Sequence, residues 1–356
     1  MYDEAFLRRH SSVAAALLVE QGLEVVGMTM RLYDARDQPK RSRGGTCCSP
    51  AEVDLAQRAC ELLGIPHYVV DEQERFQRAV IDDFAREYAA GRTPNPCARC
   101  NEHVKFGPLL TRARALGAAY MATGHYARIE DGALLRGVDP SKDQSYFLFA
   151  MGQETLADVR FPLGDWTKER VRDYARERGM PNWDAPDSQE LCFVPDGDHG
   201  AVVERRARSL GLDGGSLGDG EVVDETGETL GTHRGIHRVT VGQRRGLGLS
   251  SSRPRYVLRV LPEERKVVVG DAEALARTEL DVDDFRRLRD LEDGAAIACH
   301  VQIRHRSPAQ AATLRVTGSR ATVTFDAPVR AVAPGQAAVA FLGDQVLGGG
   351  WIAGAR

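Results

Sequence analysis

The spacing of apolar positions changes character along the chain. Ser12–Glu20 (SVAAALLVE) is rich in Ala and Leu and reads as helix, and Glu24–Arg31 (EVVGMTMR) is short and β-favouring. Ala51–Leu63 again has helical periodicity and stops at Gly64, a residue suited to a helix C-cap. A short strand is predicted at His67–Val70. Helices are predicted at Arg75–Ala90 and Phe106–Leu116, closed by Gly91 and Gly117, and a strand at Tyr120–Thr123 runs into Gly124. Such alternation predicts an α/β fold, a parallel sheet covered by helices, with ligands beyond the C-terminal ends of its strands.

After about Gly211 the pattern is different. GLDGGSLGDGEVVDETGETLG is crowded with Gly and Asp and reads as turns between short strands. The runs YVLRVL and KVVVG follow, then IACHVQIR, AATLRVT, RATVTFD and QAAVAFL, each alternating and separated by Gly, Pro or Ser. Many short strands with regular turns predict a small β-barrel or sandwich.

The chain has 356 residues, which predicts two or three domains, and its 42% hydrophobic content is enough for real cores. A net charge of -4 excludes global attraction to nucleic acid, so any such binding must be local. One local excess exists: between Arg234 and Lys266 there are nine Lys or Arg and two acidic residues. It includes Arg234, Arg238, Arg244, Arg245, Arg253 and Arg255, and in GQRRGLG the arginines alternate with glycine. The bland reading is a solvated basic face; the sharper one is a loop lying against a phosphate backbone. Arg304, His305 and Arg306 form a weaker second cluster. Trp166 and Trp183 are read as core residues in preference to base-stacking platforms. No apolar run reaches the length of a membrane span and MYDEAFLRRH has no apolar signal core, so a cytoplasmic protein is expected.

The seven cysteines, at 47, 48, 60, 97, 100, 192 and 299, do not make a secreted disulfide framework. Cys97 and Cys100 lie in TPNPCARCN, where Pro-Asn-Pro predicts an exposed loop. A C-x-x-C pair is half of a zinc site and needs two more ligands; a nucleophilic or redox thiol beside Arg99 is the preferred reading, and no metal ligands are assigned. Cys192, between Leu191 and Phe193, reads by itself as a core cysteine, as do Cys60 and Cys299. Cys47 and Cys48, after a Gly-rich stretch, read as loop.

Several motifs then fall into one order. GGTCCSPAEVDLAQRACELLGIPHYVVD, GRTPNPCARCN, ATGHYAR, KDQSYFL and SQELCF are followed by GTHRGIHRVTVGQRRGLG and by PGQAAV and FLGDQVLGGGWI. In this order they resemble the tRNA-specific 2-thiouridylases, over roughly residues 11 to 356. The resemblance implies a nucleotide-binding and catalytic domain of the pyrophosphatase-loop type (1–210), a central domain (211–273) and a C-terminal β-barrel (274–356). It implies ATP-dependent 2-thiolation of the wobble uridine of tRNA, by adenylation of the base and sulfur transfer from a cysteine persulfide. Mg²⁺ and a persulfide sulfur donor, a desulfurase or relay protein, are implied with it. Cys100 is then the nucleophile and Cys192 the persulfide carrier. Ser11, Ser12, Met30 and Gly124 border ATP. Asn95, Pro96 and Cys97 approach the target base, and His125, Lys142, Asp143, Gln144, Arg304, His305 and Gln336 contact tRNA.

Two departures stand out. The family opens with a strand and an SGGVDSS loop, whereas FLRRHSS stands here, with only Ser11 and Ser12 in common and His10 at the Asp position. Cys97 occupies a position that is Asp in some relatives. Two competing functions follow: a tRNA-binding relative with impaired catalysis, and an ATP-dependent ligase on the same nucleotide domain, against which the two cysteines and the β-rich half argue.

Overall fold

The computed structural model describes residues 5–33, 50–181, 183–184, 191–194, 197–212, 215–249 and 253–356; Cys47 and Cys48 lie outside them. In chain order the first elements are α1 (Ala5–Glu20), β1 (Gly27–Arg31), α2 (Pro50–Leu63), β2 (His67–Asp71), α3 (Gln73–Phe76) and α4 (Asp82–Ala89). Then come α5 (Pro96–Cys100), α6 (Leu110–Ala115), β3 (Met121–Ala122), β4 (Ala127–Glu130), β5 (Ala133–Arg136), β6 (Val159–Arg160), α7 (Lys168–Glu177) and α8 (His199–Ser209). The remainder is β: β7 (Gly220–Val223), β8 (Thr229–His233), β9 (Tyr256–Leu261), β10 (Lys266–Gly270), β11 (Ala276–Arg287), β12 (Ala296–Gln302), β13 (Gln310–Thr317), β14 (Arg320–Arg330), β15 (Ala337–Leu342) and β16 (Gln345–Ala355).

The chain divides into two compact units. The first comprises Met1–Ala79, Arg99–Asp198 and Asp344–Val346; the second Val80–Ala98, His199–Gly343 and Leu347–Arg356.

The first unit holds the expected parallel pairing, in two pieces. β1 runs parallel to β2, with Met30 opposite Val70, and β3 runs parallel to β6, with Met121 opposite Val159. Helix α1 starts well before Ser12 and takes in the whole of FLRRHSS. Its Val13, Ala14 and Ala16 are buried with Tyr126, Leu163, Val171 and Met180. The β4–β5 hairpin takes Gln345 as a partner of Leu135.

Two predicted helices are longer and less regular than their periodicity suggested. Arg75–Ala90 is α3 and α4 joined by a π-helical turn at Gln77–Ile81. Phe106–Leu116 is the end of a longer helical run in which Asn101–Leu109 is π-helical and contains Pro108. Proline has no N–H to give to the α ladder, and a wider turn accommodates it.

In the second unit α4 packs on α8, joined by Arg206, whose Nε and Nη2 donate to the two oxygens of Asp82 at 2.6 and 3.0 Å. A four-stranded sheet has the order β8-β7-β10-β9. The last six strands run β11-β14-β13-β12-β15-β16, and β11 pairs back to β16, closing a barrel. The alternation read from the sequence is its inside–outside pattern: Leu280, Val301, Leu314, Val323, Ala340 and Ile352 point into one core.

Candidate active site

In the first unit, α1 and the turn after β3 meet at Gly124. A Cβ at Gly124 would lie 2.6 to 2.7 Å from backbone and Cβ atoms of His10 and Ser11, so only glycine fits there. His10 is fully buried, its ring edge-on to Tyr126 at 5.0 Å; Ser12 is buried and Ser11 exposed. The structure therefore gathers Ser11, Ser12 and Gly124, while Met30 lies half-buried on β1. Residues 9–12 are inside a helix, where each amide donates to the carbonyl one turn earlier. A triphosphate needs a run of inward-turned amides. This segment does not present one, so its conformation does not fit the phosphate end of ATP.

Cys100 and Cys192 are both in this unit, 5% and 7% exposed. Cys100 ends α5, and the next residue, Asn101, donates from Nδ2 to the carbonyl of Phe147 at 3.0 Å. Arg99, expected to favour a thiolate, is 3.5 Å from the Glu102 carboxylate and is shared with it. Tyr33 donates its hydroxyl to the Cys192 carbonyl at 3.2 Å. Phe76 stands between Tyr33 and Phe193, with ring centroids 6.4 and 5.8 Å away. Sequence reading missed Tyr33; its only signal was an aromatic two residues past a strand end.

The other residues assigned to tRNA in this unit face inward. His125 is buried between Phe106 and Phe161, with Nδ1 2.7 Å from Thr123 Oγ1. Burial, and then the charge of Lys105, hold its pKa well below the usual 6.5, so the ring is neutral. The Asp143 carboxylate takes donors from Arg136 Nη1, the Gly137 and Ser145 amides and the Ser145 hydroxyl, at 2.9 to 3.1 Å. Gln144 accepts from the Tyr126 amide at 3.0 Å, and Lys142 is half-buried beside them.

In the second unit the Pro-Asn-Pro run is not the exposed loop expected. Pro94, Asn95 and Pro96 are buried. Asn95 Oδ1 accepts from the Ala98 amide at 3.3 Å and Pro96 is the first helical residue of α5. Proline suits that position, because its missing N–H would have had no helical partner, and asparagine suits the cap. Cys97 follows on the first turn, partly exposed. Gln336, 9% exposed, donates from Nε2 to the carbonyls of Thr93 and Pro94 at 3.1 and 3.0 Å, fixing the approach to this cap. Arg304 points inward, donating to the carbonyls of Val241 (2.9 Å) and Ala331. The His305 carbonyl receives Gln302 Nε2 at 2.7 Å. Within the basic cluster, Arg238 is paired with Glu204 at 2.6 Å. Trp183, in the first unit, is 40% exposed, which corrects its reading as core; Trp166 is half-buried, with the Arg170 guanidinium 3.8 Å over its ring. Cys60 and Cys299 are buried as expected, and burial pushes the Cys299 thiol up to about 11. Among the described residues no group of three or more His, Cys, Asp or Glu is placed to hold a metal ion, and no helix is long and apolar enough to cross a membrane.

Comparison with known proteins gives a consistent set of matches. The family model described as the tRNA methyl transferase HUP domain matches residues 9–196. Its PRC-barrel companion matches 214–271 and the aminomethyltransferase β-barrel domain 277–352. A tRNA-specific 2-thiouridylase of Acidithiobacillus ferrooxidans is 47% identical over 97% of this chain and 95% of its own length. One of Geobacter metallireducens is 48% identical over 96% and 93%, and one of Chloroflexus aurantiacus 47% over 96% and 95%. Among solved structures, an NMN synthetase of Francisella tularensis aligns at a TM-score of 0.30 and 17% identity, covering 57% of this chain and 73% of that one, too weak a likeness to argue from. The models carry the word methyl transferase, whereas the full-length relatives are named for thiolation. With matches in sequence from the helical half to the closing barrel, and nearly half of all positions identical to these relatives, the chain belongs to the tRNA-specific 2-thiouridylase family.

Proposed function

We propose that this protein is a tRNA-modifying sulfurtransferase that replaces the 2-oxygen of the wobble uridine by sulfur. The observation that carries the reading is the presence of two buried thiols, Cys100 and Cys192, in one unit of a chain that belongs to this family along its whole length. The uridine 2-oxygen is a poor leaving group. ATP, with Mg²⁺ neutralising its triphosphate, is the substrate the family implies for improving it. Helix α1 does not fit the phosphates, and the steps assigned to this chain are those of its thiols.

Cys192 receives a sulfane sulfur from a persulfide donor. The terminal sulfur attacks C2 of the base, forming a C–S bond as the C–O bond breaks and the activated oxygen departs with its electron pair. The Cys100 thiolate then attacks the Cys192 sulfur. The S–S bond to the base sulfur breaks, its electrons stay with the base as a thiocarbonyl, and Cys100 and Cys192 are left as a disulfide. The two thiols are thereby oxidised by two electrons, and an external thiol reductant restores them.

The geometry needed is a Cα separation under about 7 Å in the reacting state. Tyr33 supports this by holding the Cys192 backbone, and Asn101 by holding the residue next to Cys100. The test is thiolation of tRNA, read as 2-thiouridine by mass spectrometry of digested nucleosides. Cys100→Ser and Cys192→Ser should each abolish turnover, and the wild-type protein after a single turnover without reductant should yield a Cys100–Cys192 disulfide-linked peptide. Near-normal turnover by either variant overturns the two-thiol mechanism.

A further inference from the structure

The loop between β8 and β9 contains a built cleft. Arg244, Arg253 and Arg255 line it together with Gly246, Leu247 and Gly248, around a cavity of about 380 Å³, and no acidic residue is in its lining among the described residues. Residues 240–248 are held in shape by their own hydrogen bonds and turns. The Gly242 amide donates to the Val257 carbonyl at 2.8 Å, and Gln243 accepts from the Thr240 amide and donates to the Arg245 carbonyl at 3.0 and 2.9 Å. Gly242, Gly246 and Gly248 all have φ between 67° and 87°, a left-handed path that other residues resist. Arg304 pins its base: a Cβ at Gly242 would touch Ala331, whose carbonyl Arg304 holds.

Charge is left over in this cleft. Arg238, earlier in the same basic stretch, is neutralised by Glu204, but Arg244, in the cleft lining, is exposed and has no acidic partner among the described residues. Arg255 reaches Asp271 at 3.4 Å through Nη1, while its Nε is buried with no acceptor among the described residues. A buried guanidinium N–H without an acceptor is costly, and an incoming oxyanion is the natural acceptor for it. In a chain with a net charge of -4, this is a local concentration of positive charge and no part of a general basic coat.

We propose that this cleft binds a phosphodiester of the substrate tRNA backbone, as a docking point separate from the thiols. The inference rests on the tRNA reading above. A cleft whose polar side chains among the described residues are all arginines, beside Gly246, Gly248, Leu247, Leu249 and Pro254 and with no aromatic face among them, suits a sugar–phosphate chain better than a base.

The experiment measures tRNA affinity by filter binding at several chloride concentrations, for the wild type and Arg244→Gln. Arg244 is exposed and has no acidic partner among the described residues, so folding is not at stake. Losing one phosphate contact should weaken binding about three- to tenfold at low salt and lower the log–log salt slope by about 0.7 to 0.9. Arg255→Lys, which keeps the charge but loses Nε, should lower affinity with little change in slope. Wild-type protein that does not bind tRNA defeats the tRNA reading itself. Tight wild-type binding with an unchanged slope in Arg244→Gln defeats only this assignment. Two further arms separate the sources of anion. Titration with ATP should give the same affinity for both proteins; a parallel loss would make the cleft a nucleotide site. Poly-glutamate should displace tRNA no better from the wild type than from Arg244→Gln; selective displacement would make it a site for acidic protein.

Discussion

Gln336 shows how one side chain can set a loop from far along the chain. Its amide nitrogen satisfies two carbonyls, of Thr93 and Pro94, directly before the Asn95 cap. Gln336→Leu keeps the volume but leaves both carbonyls without their donor, and should cost about 1–3 kcal/mol, measured as a lower urea midpoint with an unchanged m-value. Tyr33→Phe removes one hydrogen bond to the Cys192 carbonyl and should cost about 1 kcal/mol by the same measurement, with a larger effect on turnover than on tRNA affinity. At this scale the sequence was legible in part. The thiols and the KDQ motif were recognisable as a pattern, but the partners were not. That Asp143 would be surrounded by Arg136, Gly137 and Ser145 depends on a turn between β5 and the next helical residues, which no spacing rule specifies. The Pro-Asn-Pro run was read as exposed because two prolines disfavour helix, yet the second proline stands where a helix tolerates it best.

At the scale of elements, the strands of the C-terminal half were legible because alternation is a direct record of which face is buried. Their pattern alone left barrel and sandwich open, since closure depends on β11 meeting β16 across more than sixty residues of chain; the family resemblance implied the barrel, and the six strands close into one. The first half was harder. The parallel pairing was anticipated, but its division into β1–β2 and β3–β6 was not. Helix α1 absorbs FLRRHSS because nothing in that stretch breaks a helix, and a glycine-free segment adjoining AAALL continues its periodicity. The absence of an amide cradle has a measurable outcome. Two charge-assisted amide bonds lost from a triphosphate amount to about 3 kcal/mol, so calorimetric titration should show ATP binding roughly a hundredfold weaker than for the Acidithiobacillus relative. Equal affinities would show that the phosphates are held by groups other than the start of α1.

For the whole molecule, acid sensitivity should follow from buried neutral histidines. The folded pKa of His125 lies well below its ordinary 6.5, from burial and then from Lys105, while the unfolded chain keeps the ordinary value. Below pH 6.5 the unfolded state therefore binds a proton that the folded state refuses. The stability contribution is complete above that pH and falls as pH drops towards the folded pKa, by up to about 1.4 kcal/mol per unit. His233 and His237, both lowered chiefly by burial, add in the same direction. Urea midpoints between pH 7 and pH 5.5 should decline for the wild type and decline less steeply for His125→Gln.

The bond from Gln336 to Thr93 spans 243 residues and lies inside one unit that is itself assembled from 80–98 and the C-terminal half. Closing so long a loop costs about 5 kcal/mol of chain entropy, and during synthesis at roughly 5–20 residues per second the partner of Thr93 emerges tens of seconds later. The segment leading to Cys97 is thus among the last parts of the protein to be locked in place. A nascent chain stalled before residue 336 should be cut by protease near Arg92, and the finished protein should resist at the same bond, so that the order of translation decides when the turn carrying this thiol is fixed.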